Sequence, residues 1–173
     1  WNAGSCCGTA SLTGVDDVAF LDEVSRVIRD RVCVDAVVAA GHSNGAMMAQ
    51  RWACQGERLD GAYSSAGQRM VKACEGDPIP LITAHGTADR VVPQDGGTNA
   101  DDVSFPSEEE SREPFLATCR VWDCTDAPVE ACTLDAWKHR WPGGPRVQPE
   151  GYLAEDVVVD LLARVRPDES VVE

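Results

Sequence analysis

This chain of 173 residues has few of the sequence features that are typical of membrane proteins or of nucleic-acid-binding proteins. No apolar run approaches the roughly 20 residues that a membrane-spanning helix needs, so we expect no integral membrane protein. Positive charge is also scarce, with 15 Lys and Arg against 29 Asp and Glu, which gives a net charge of −14. Such a surface repels nucleic acids and anionic membranes, so neither is an expected partner. Internal repeats and low-complexity segments are absent, and the length suits one domain.

Histidine is scarce as well, with only three residues in the chain. No pair of Cys-x-x-Cys knuckles occurs, so the sequence predicts no zinc site. Cysteine, in contrast, is abundant, with eight residues. An even number at this density favours disulfide bonds and an oxidising compartment, so we expect a secreted protein. No leader segment precedes Trp1, and we expect a processed or partial chain.

Hydrophobic patterns predict helices that alternate with strands. Thr13 and Asp16 lie three residues apart and predict an N-terminal cap, after which Val18, Leu21, Val24 and Ile28 recur at helical spacing. Short apolar runs bounded by turns predict buried strands. The predicted helices are 16–31, 44–54, 107–121 and 153–165, the predicted strands are 34–40, 61–66, 79–84 and 131–137, and 1–15 is a predicted loop. This alternation indicates an α/β layer fold with a mostly parallel sheet.

Residues 41–45 read Gly-His-Ser-Asn-Gly, a Gly-x-Ser-x-Gly pentapeptide between a predicted strand and a predicted helix. The pentapeptide alone is weak evidence for a catalytic serine, because it occurs by chance in about one chain of this length in twenty. Its place at a strand-to-helix turn favours a nucleophilic Ser43, since such a turn lifts the serine out of the sheet. This turn, residues 41–45, is called the elbow below, and the helix that follows it is the elbow helix. We expect both flanking glycines to be needed for close packing, and the N–H of Asn44 to face an oxyanion. A serine in an ordinary glycine-rich turn is the alternative.

A nucleophilic serine needs a base, and the base needs an acid that orients it. In chains with this elbow the order is serine, acid, histidine, so His139 is the predicted base. Asp89 is the predicted acid, because it follows a strand that runs into a turn, whereas the aspartates at 95, 101, 102 and 126 are less well placed. A surface histidine and a turn-capping aspartate are the alternatives. We expect His42 to point away along the turn and His85 to brace its loop.

Five stretches of the chain form a specific set: WNAGSCCG (1–8), VDDVAFL (15–21), GHSNGAMMA (41–49), HGTADRVVP (85–93) and HRWPGG (139–144). Together they resemble the secreted α/β-hydrolases that comprise polyhydroxybutyrate depolymerases, feruloyl esterases and acetylxylan esterases. The resemblance implies an α/β-hydrolase fold, with Ser43 as nucleophile, Asp89 as acid and His139 as base. It also implies substrate contacts by Trp141 and Trp1, and a core position is the alternative for Trp141.

The family has further chain before the WNAG stretch, which carries its first strands and a His-Gly loop with a second oxyanion donor. We therefore expect residues 1–173 to form one α/β-hydrolase domain that is shortened at its N-terminus, with a smaller sheet and an exposed edge strand. Asn44 supplies the one assured oxyanion donor, and loss of a donor costs about 10²–10³ in rate. The loop 1–8 is a candidate for the second donor.

Disulfide bonds would stabilise this small domain by about 2–4 kcal/mol each, mainly through the unfolded state. The sequence does not determine their connectivity, since eight cysteines allow many pairings. The pairings proposed as hypotheses are Cys124 with Cys132, Cys54 with Cys74, and Cys6 or Cys7 with Cys33.

These residues predict a carboxylic-ester hydrolase that acts through an acyl-enzyme and needs no metal or organic cofactor. The resemblance implies feruloyl, acetyl or short polyester-type substrates, either small or attached to a polymer. Phenolic and acetyl esters are slightly favoured, because no separate binding domain is visible. Since the base must be neutral, activity should rise with pH through about 6–7.

Two other functions stay open at this point. A catalytically weak or inactive hydrolase relic could serve as a disulfide-stabilised binding protein. The complete set of Ser43, Asp89 and His139 argues against a relic, and the missing first strands argue for it. An amide hydrolase or acyltransferase on the same fold would share the first half-reaction. The sequence does not predict the oligomeric state.

Overall fold

The structure is a computed structural model that describes residues 1–72, 74, 79–122, 129–143 and 152–165, with the backbone alone at 117–122. Its helices are α1 (Gly8–Leu12), α2 (Asp17–Arg31), α3 (Asn44–Gln55), α4 (Glu108–Trp122) and α5 (Ala154–Val165). Its strands are β1 (Val38–His42), β2 (Gly61–Ser65), β3 (Leu81–Gly86), β4 (Gly97–Thr98), β5 (Ser104–Phe105) and β6 (Val129–Leu134). None of the helices within these ranges is long and apolar enough to cross a membrane.

Four parallel strands form the main sheet in the order β1-β2-β3-β6. Leu81 at the start of β3 lies opposite Ala62 of β2 on one side and Val129 of β6 on the other. The predicted α/β architecture with a mostly parallel sheet is therefore confirmed. Because all four strands run in one direction, the residues that follow β1, β3 and β6 meet at the same edge of the sheet.

All four strands of the main sheet differ from their predicted bounds, and β1 and β6 differ most. β1 begins at Val38 rather than Val34, because the N–H of Val37 donates to the Asp60 carboxylate (2.6 Å) instead of to a neighbouring strand. β6 ends at Leu134, since Ala136 has a φ of 51° and turns the chain away from the sheet. The predicted loop 1–15 also contains the short helix α1.

Adjacent residues of β3 show how helices cover both faces of the sheet. Successive side chains of a strand point to opposite faces. Leu81 packs in one cluster with Trp52 of α3 and Phe115 of α4, and Ile82 packs in another cluster with Leu161 of α5. Both β3 side chains are at most 1% exposed. All six residues of β3 are buried, so the strand is a firmly packed support for the loop that follows it.

Of the predicted capping pair only Asp16 caps helix α2, where its carboxylate accepts the N–H of Ala19 at 3.1 Å, whereas Thr13 lies at the end of α1. The apolar stripe of α2 is only partly buried. Val18 joins the core, whereas Val24 is 37% exposed and Ile28 is 45% exposed. Helical spacing thus predicts the element correctly, but burial depends on which elements pack beside it.

The predicted disulfide between Cys54 and Cys74 is confirmed. It ties helix α3 to the segment that precedes β3, two elements on which the site below depends. Of the predicted pair Cys124 and Cys132, Cys124 lies outside the described residues, and that pairing stays a prediction.

The predicted pairing of Cys6 or Cys7 with Cys33 is wrong. Cys6 and Cys7 form a disulfide with each other, and Cys33 is free and exposed. The physical reason is position, since Cys6 is buried in a cluster with Met47 near the start of α3, whereas Cys33 follows the far end of α2.

Candidate active site

Ser43 occupies the turn between β1 and α3, with a φ of 56° and a ψ of −122°. A positive φ is uncommon for a residue other than glycine and persists only where the surroundings enforce it. Here the N–H of Ser43 donates to the carbonyl of Ser65 (2.9 Å), and the carbonyl of Ser43 accepts the N–H of Met47 (3.0 Å). The turn is therefore held from the neighbouring strand and from the helix.

The two glycines of the pentapeptide have different roles. A Cβ on Gly41 would collide with the carbonyl of Gly45 and lie 2.6 Å from the backbone nitrogen of Ala46. A Cβ on Gly45 would meet nothing within 4 Å. The prediction that both glycines are needed for packing is thus wrong for Gly45, because its Cβ would point into open space beside α3.

The structure brings Ser43, His139 and Asp89 into one hydrogen-bonded chain. His139 Nε2 lies 2.9 Å from Ser43 Oγ, and His139 Nδ1 lies 2.7 Å from Asp89 Oδ2. The three residues follow β1, β6 and β3, whose carboxyl ends share one edge of the sheet. In this geometry Asp89 fixes the imidazole tautomer, and His139 can accept the proton of the serine hydroxyl.

The Asp89 carboxylate is fully buried and accepts several hydrogen bonds. Its Oδ1 accepts the N–H groups of Val91 and Val92, each at 2.9 Å. Burial by itself raises the pKa of Asp89. Hydrogen bonds from His139 and the Val92 N–H, together with the nearby His85 ring, outweigh burial and hold the pKa well below its usual range. Asp89 is therefore ionised wherever His139 is a useful base.

His85 contacts the loop that follows Asp89, in agreement with the prediction that it stabilises this loop. Its Nε2 is 2.8 Å from the carbonyl of Val92 and 3.6 Å from Asp89 Oδ2. The side chain is 2% exposed, so the loop of Asp89 closes over it.

His42 differs from the expectation that it points away along the turn. Its ring centroid is 4.8 Å from that of His139, and its Nδ1 is buried with no hydrogen-bond partner among the described residues. Burial, followed by the charge of the neighbouring His139, lowers the pKa of His42. His42 therefore packs as a neutral ring against the candidate base, His139. The sequence around His42 does not predict this contact.

A buried network of hydrogen bonds around Gln50 holds the elbow helix against β2 and α4. Gln50 of α3 donates through Nε2 to Ser64 Oγ and to the Gly67 carbonyl, both at 2.8 Å. Its Oε1 accepts the hydroxyl of Ser111 of α4 at 3.0 Å. A Cβ on Gly67 would lie 2.8 Å from the Cβ of Ala46, so the chain after β2 passes close beneath the elbow helix.

Two curated proteins resemble part of this chain. The probable feruloyl esterase C of Aspergillus oryzae is 35% identical over 98 residues, and the feruloyl esterase C of Emericella nidulans is 36% identical over 98 residues. Each match covers 54% of this chain and 36% of the relative, so the chain matches about a third of the relatives' length. The resemblance indicated by the motifs is confirmed. No protein-family model matches the chain.

A solved structure decides the fold. SOBER1 of Arabidopsis thaliana matches with a TM-score of 0.57, over 86% of this chain and 62% of that chain. This chain has an α/β-hydrolase fold. The sequence identity to SOBER1 is 13%, so this likeness bears on the hydrolase fold alone.

The predicted oxyanion donor, Asn44, is the first residue of α3, where backbone N–H groups have no acceptor within the helix. Its side chain is bonded to the backbone of Trp1, through Oδ1 at 2.7 Å and Nδ2 at 3.1 Å. In the loop predicted to supply a second donor, the N–H groups of residues 2–5 already donate within the protein. The remaining residues of that loop that line a cavity with Ser43 are Cys6, Cys7 and Gly8.

The two tryptophans predicted to contact substrate lie beside the neighbours of Ser43, since the Trp1 backbone is hydrogen-bonded to the Asn44 side chain and the Trp141 ring meets His42 edge-on at 6.5 Å. Trp1 is 47% exposed, with its ring 6.4 Å from Phe20. Trp141 meets Tyr63 edge-on at 5.5 Å, and its indole N–H donates to Glu155 at 3.1 Å. These contacts suit the core alternative for Trp141, and substrate contact by either ring stays a prediction.

An apolar cavity of about 350 Å³ opens beside Ser43. Its walls come from α3, the loop after β3, the hairpin of β4 and β5, and the N-terminal residues 5–12. They include Met47, Phe105, Val92 and the Cys6–Cys7 disulfide. A cavity of this kind next to a nucleophile can hold an apolar group of a substrate.

Proposed function

We propose that this chain hydrolyses carboxylic esters with Ser43 as nucleophile, His139 as base and Asp89 as the acid that orients it. The observation that carries the proposal is the pair of hydrogen bonds from Ser43 Oγ through His139 to Asp89 Oδ2, at 2.9 and 2.7 Å. Its setting in an α/β-hydrolase fold and the partial similarity to feruloyl esterases support the same conclusion.

In the first half-reaction, Ser43 Oγ attacks the ester carbonyl while His139 Nε2 takes the hydroxyl proton. Asp89 stabilises the imidazolium that forms, and the N–H of Asn44 donates to the carbonyl oxygen as it becomes negative. His139 then protonates the leaving alcohol. In the second half-reaction, water activated by His139 attacks the acyl-enzyme and releases the acid.

The proposed substrates are feruloyl esters, which the names of the curated relatives suggest, and acetyl or short polyester-type esters, which the resemblance of the motifs implies. The apolar cavity beside Ser43 is where we place the acyl half, since Met47, Val92 and Phe105 offer it a nonpolar surface. Trp141 and Trp1 are proposed to contact the parts of a larger substrate that extend beyond the cavity. We also propose that the protein is secreted, in keeping with the disulfides at Cys54–Cys74 and Cys6–Cys7.

The test is hydrolysis of p-nitrophenyl acetate and p-nitrophenyl butyrate by the 173-residue chain and by Ser43→Ala. A fluorophosphonate probe, which labels only an activated serine, is applied to both proteins. We expect turnover and labelling of the parent and neither for Ser43→Ala. A folded parent that neither turns over nor is labelled would favour the binding relic instead.

A further inference from the structure

A second recess, of about 500 Å³, is lined by His139 and shares Val91 with the apolar cavity. It is lined by Ala88, Arg90, Val91, Lys138, His139 and Arg140. Three of its six lining residues carry a permanent positive charge, and none of those six is acidic. In a chain with only 15 Lys and Arg and a net charge of −14, this concentration of cations is an exception to the surrounding charge.

The three cationic side chains have no counter-ion among the described residues. No hydrogen bond or ion pair there involves the side chain of Arg90, Lys138 or Arg140. All three residues are exposed. The nearest carboxylates along the chain are Asp89, which is buried and turned toward His139, and Asp135, which accepts the hydroxyl of Thr87. The recess therefore presents uncompensated positive charge to solvent beside a candidate catalytic group.

The backbone that carries these cations is well anchored. The turn with Arg90 is closed by hydrogen bonds from Val91 and Val92 to the Asp89 carboxylate. The loop that carries Arg140 is tied to that turn, since the N–H of Ala88 donates to the carbonyl of Trp137 at 2.9 Å. Because both loops follow adjacent parallel strands, the sheet keeps the cations on one side of His139.

The chemistry of ester hydrolysis indicates which half of a substrate would reach this recess. His139 protonates the leaving oxygen, so the alcohol half must lie against the imidazole. Ser43 lines the apolar cavity and His139 lines the recess, while Val91 lines both. An ester bound at Ser43 would thus direct its acyl half into the cavity and its alcohol half into the recess.

We propose that Arg90, Lys138 and Arg140 bind a carboxylate on the alcohol half of the ester. This proposal rests on the proposed ester hydrolysis and specifies its substrate class, namely esters whose alcohol is a hydroxy acid or a sugar acid. Guanidinium and ammonium groups donate several hydrogen bonds to a carboxylate, and opposite charges also steer the substrate to the site. Neutral esters of the same alcohol lack this interaction.

The experiment compares two matched pairs of esters. In the first pair, p-acetoxybenzoate and its methyl ester, the carboxylate is on the alcohol half. In the second pair, p-nitrophenyl hydrogen succinate and p-nitrophenyl butyrate, it is on the acyl half. The readout is the ratio of kcat/KM for the charged ester to kcat/KM for its neutral partner, which cancels a general loss of activity.

The variants are Arg90→Gln, Arg140→Gln and the triple glutamine variant that adds Lys138→Gln. Arg31→Gln is the matched control, because it removes one exposed positive charge from the end of α2. We expect the ratio in the first pair to fall roughly threefold for each single variant and roughly tenfold or more for the triple variant. High ionic strength should lower the ratio of the parent in the same direction.

An unchanged first ratio in the triple variant would overturn the proposal. A fall confined to the succinate pair would overturn the assignment to the alcohol half. Binding of p-hydroxybenzoate to the Ser43→Ala chain, measured by NMR titration, separates this proposal from the proposed function. If no ester turns over but p-hydroxybenzoate binds in a manner that the triple substitution abolishes, the recess assignment stands and the hydrolase proposal fails.

Discussion

Replacement of Gly41 by alanine tests whether the elbow depends on contact between strand and helix. The new methyl group would lie 2.6 Å from the Ala46 nitrogen and nearer still to the Gly45 carbonyl. Unstrained contacts of a carbon atom are about 3.5–4.0 Å, so β1 and the start of α3 must separate by roughly 1 Å. Overpacking of this kind costs about 1–3 kcal/mol, and we expect a value near the upper end because the obstructing atoms are backbone.

The same displacement moves Ser43 relative to His139, whose Nε2 is 2.9 Å from the serine oxygen. A misplacement of roughly 1 Å costs about 10²-fold in rate, so kcat/KM on p-nitrophenyl acetate should fall by about that factor in Gly41→Ala. Urea unfolding measures the stability change in the same protein.

Gly45→Ala is the matched control for Gly41→Ala, because its methyl group would meet nothing within 4 Å. Alanine also forms helix better than glycine by up to about 1 kcal/mol, so this variant should keep activity and be at least as stable as the parent. The reasoning is refuted if Gly41→Ala behaves like the parent, or if Gly45→Ala loses as much activity as Gly41→Ala.

Three further predictions follow from contacts described above. Asp89→Asn should lower kcat on the order of 10³–10⁴-fold, because the imidazole loses its tautomer control. The depressed pKa of Asp89 means that the native state binds fewer protons than the unfolded state below about pH 4, so the parent loses stability as pH falls through that range. Unfolding free energies of Asp89→Asn should decline less steeply there, and an equal slope would contradict this. Gln50→Leu should cost about 1–3 kcal/mol in urea unfolding, while exposed Gln55→Leu changes it by less than about 0.5 kcal/mol, and equal losses would count against the buried network. Removal of the disulfide by Cys54→Ser with Cys74→Ser should cost about 3 kcal/mol in thermal and urea unfolding, and a change within error would remove its stabilising role.

The parts of the site that sequence reasoning could reach are those with local signals. Ser43 lies in a pentapeptide between a strand and a helix, and Asp89 follows an apolar run that enters a turn. Such patterns depend on a few neighbouring residues, so their elements and order can be predicted. The triad geometry agrees with that prediction, whereas its catalytic role stays the proposal made above.

The parts that sequence reasoning missed depend on contacts between distant segments. His42 meets His139 only because the loop after β6 folds back over the end of β1. Gln50 satisfies groups on β2 and α4 that lie 14 and 61 residues away along the chain. The end of β6 depends on a left-handed Ala136, and alanine carries no local preference for that conformation. These features follow from the assembled sheet rather than from any local pattern.

The separation of the triad along the chain has a consequence for how the protein folds. Ser43 and His139 are 96 residues apart, and Asp89 and His139 are 50 residues apart. The hydrogen-bonded chain can form only after β1, β2, β3 and β6 have all paired, which requires closure of long loops with parallel strands. Pairing of this kind is slow, because loop-closure entropy must be lost before the contacts form. During refolding, helical circular dichroism should therefore recover first, and recovery of the proposed esterase activity would report when the two ends of the sheet have paired.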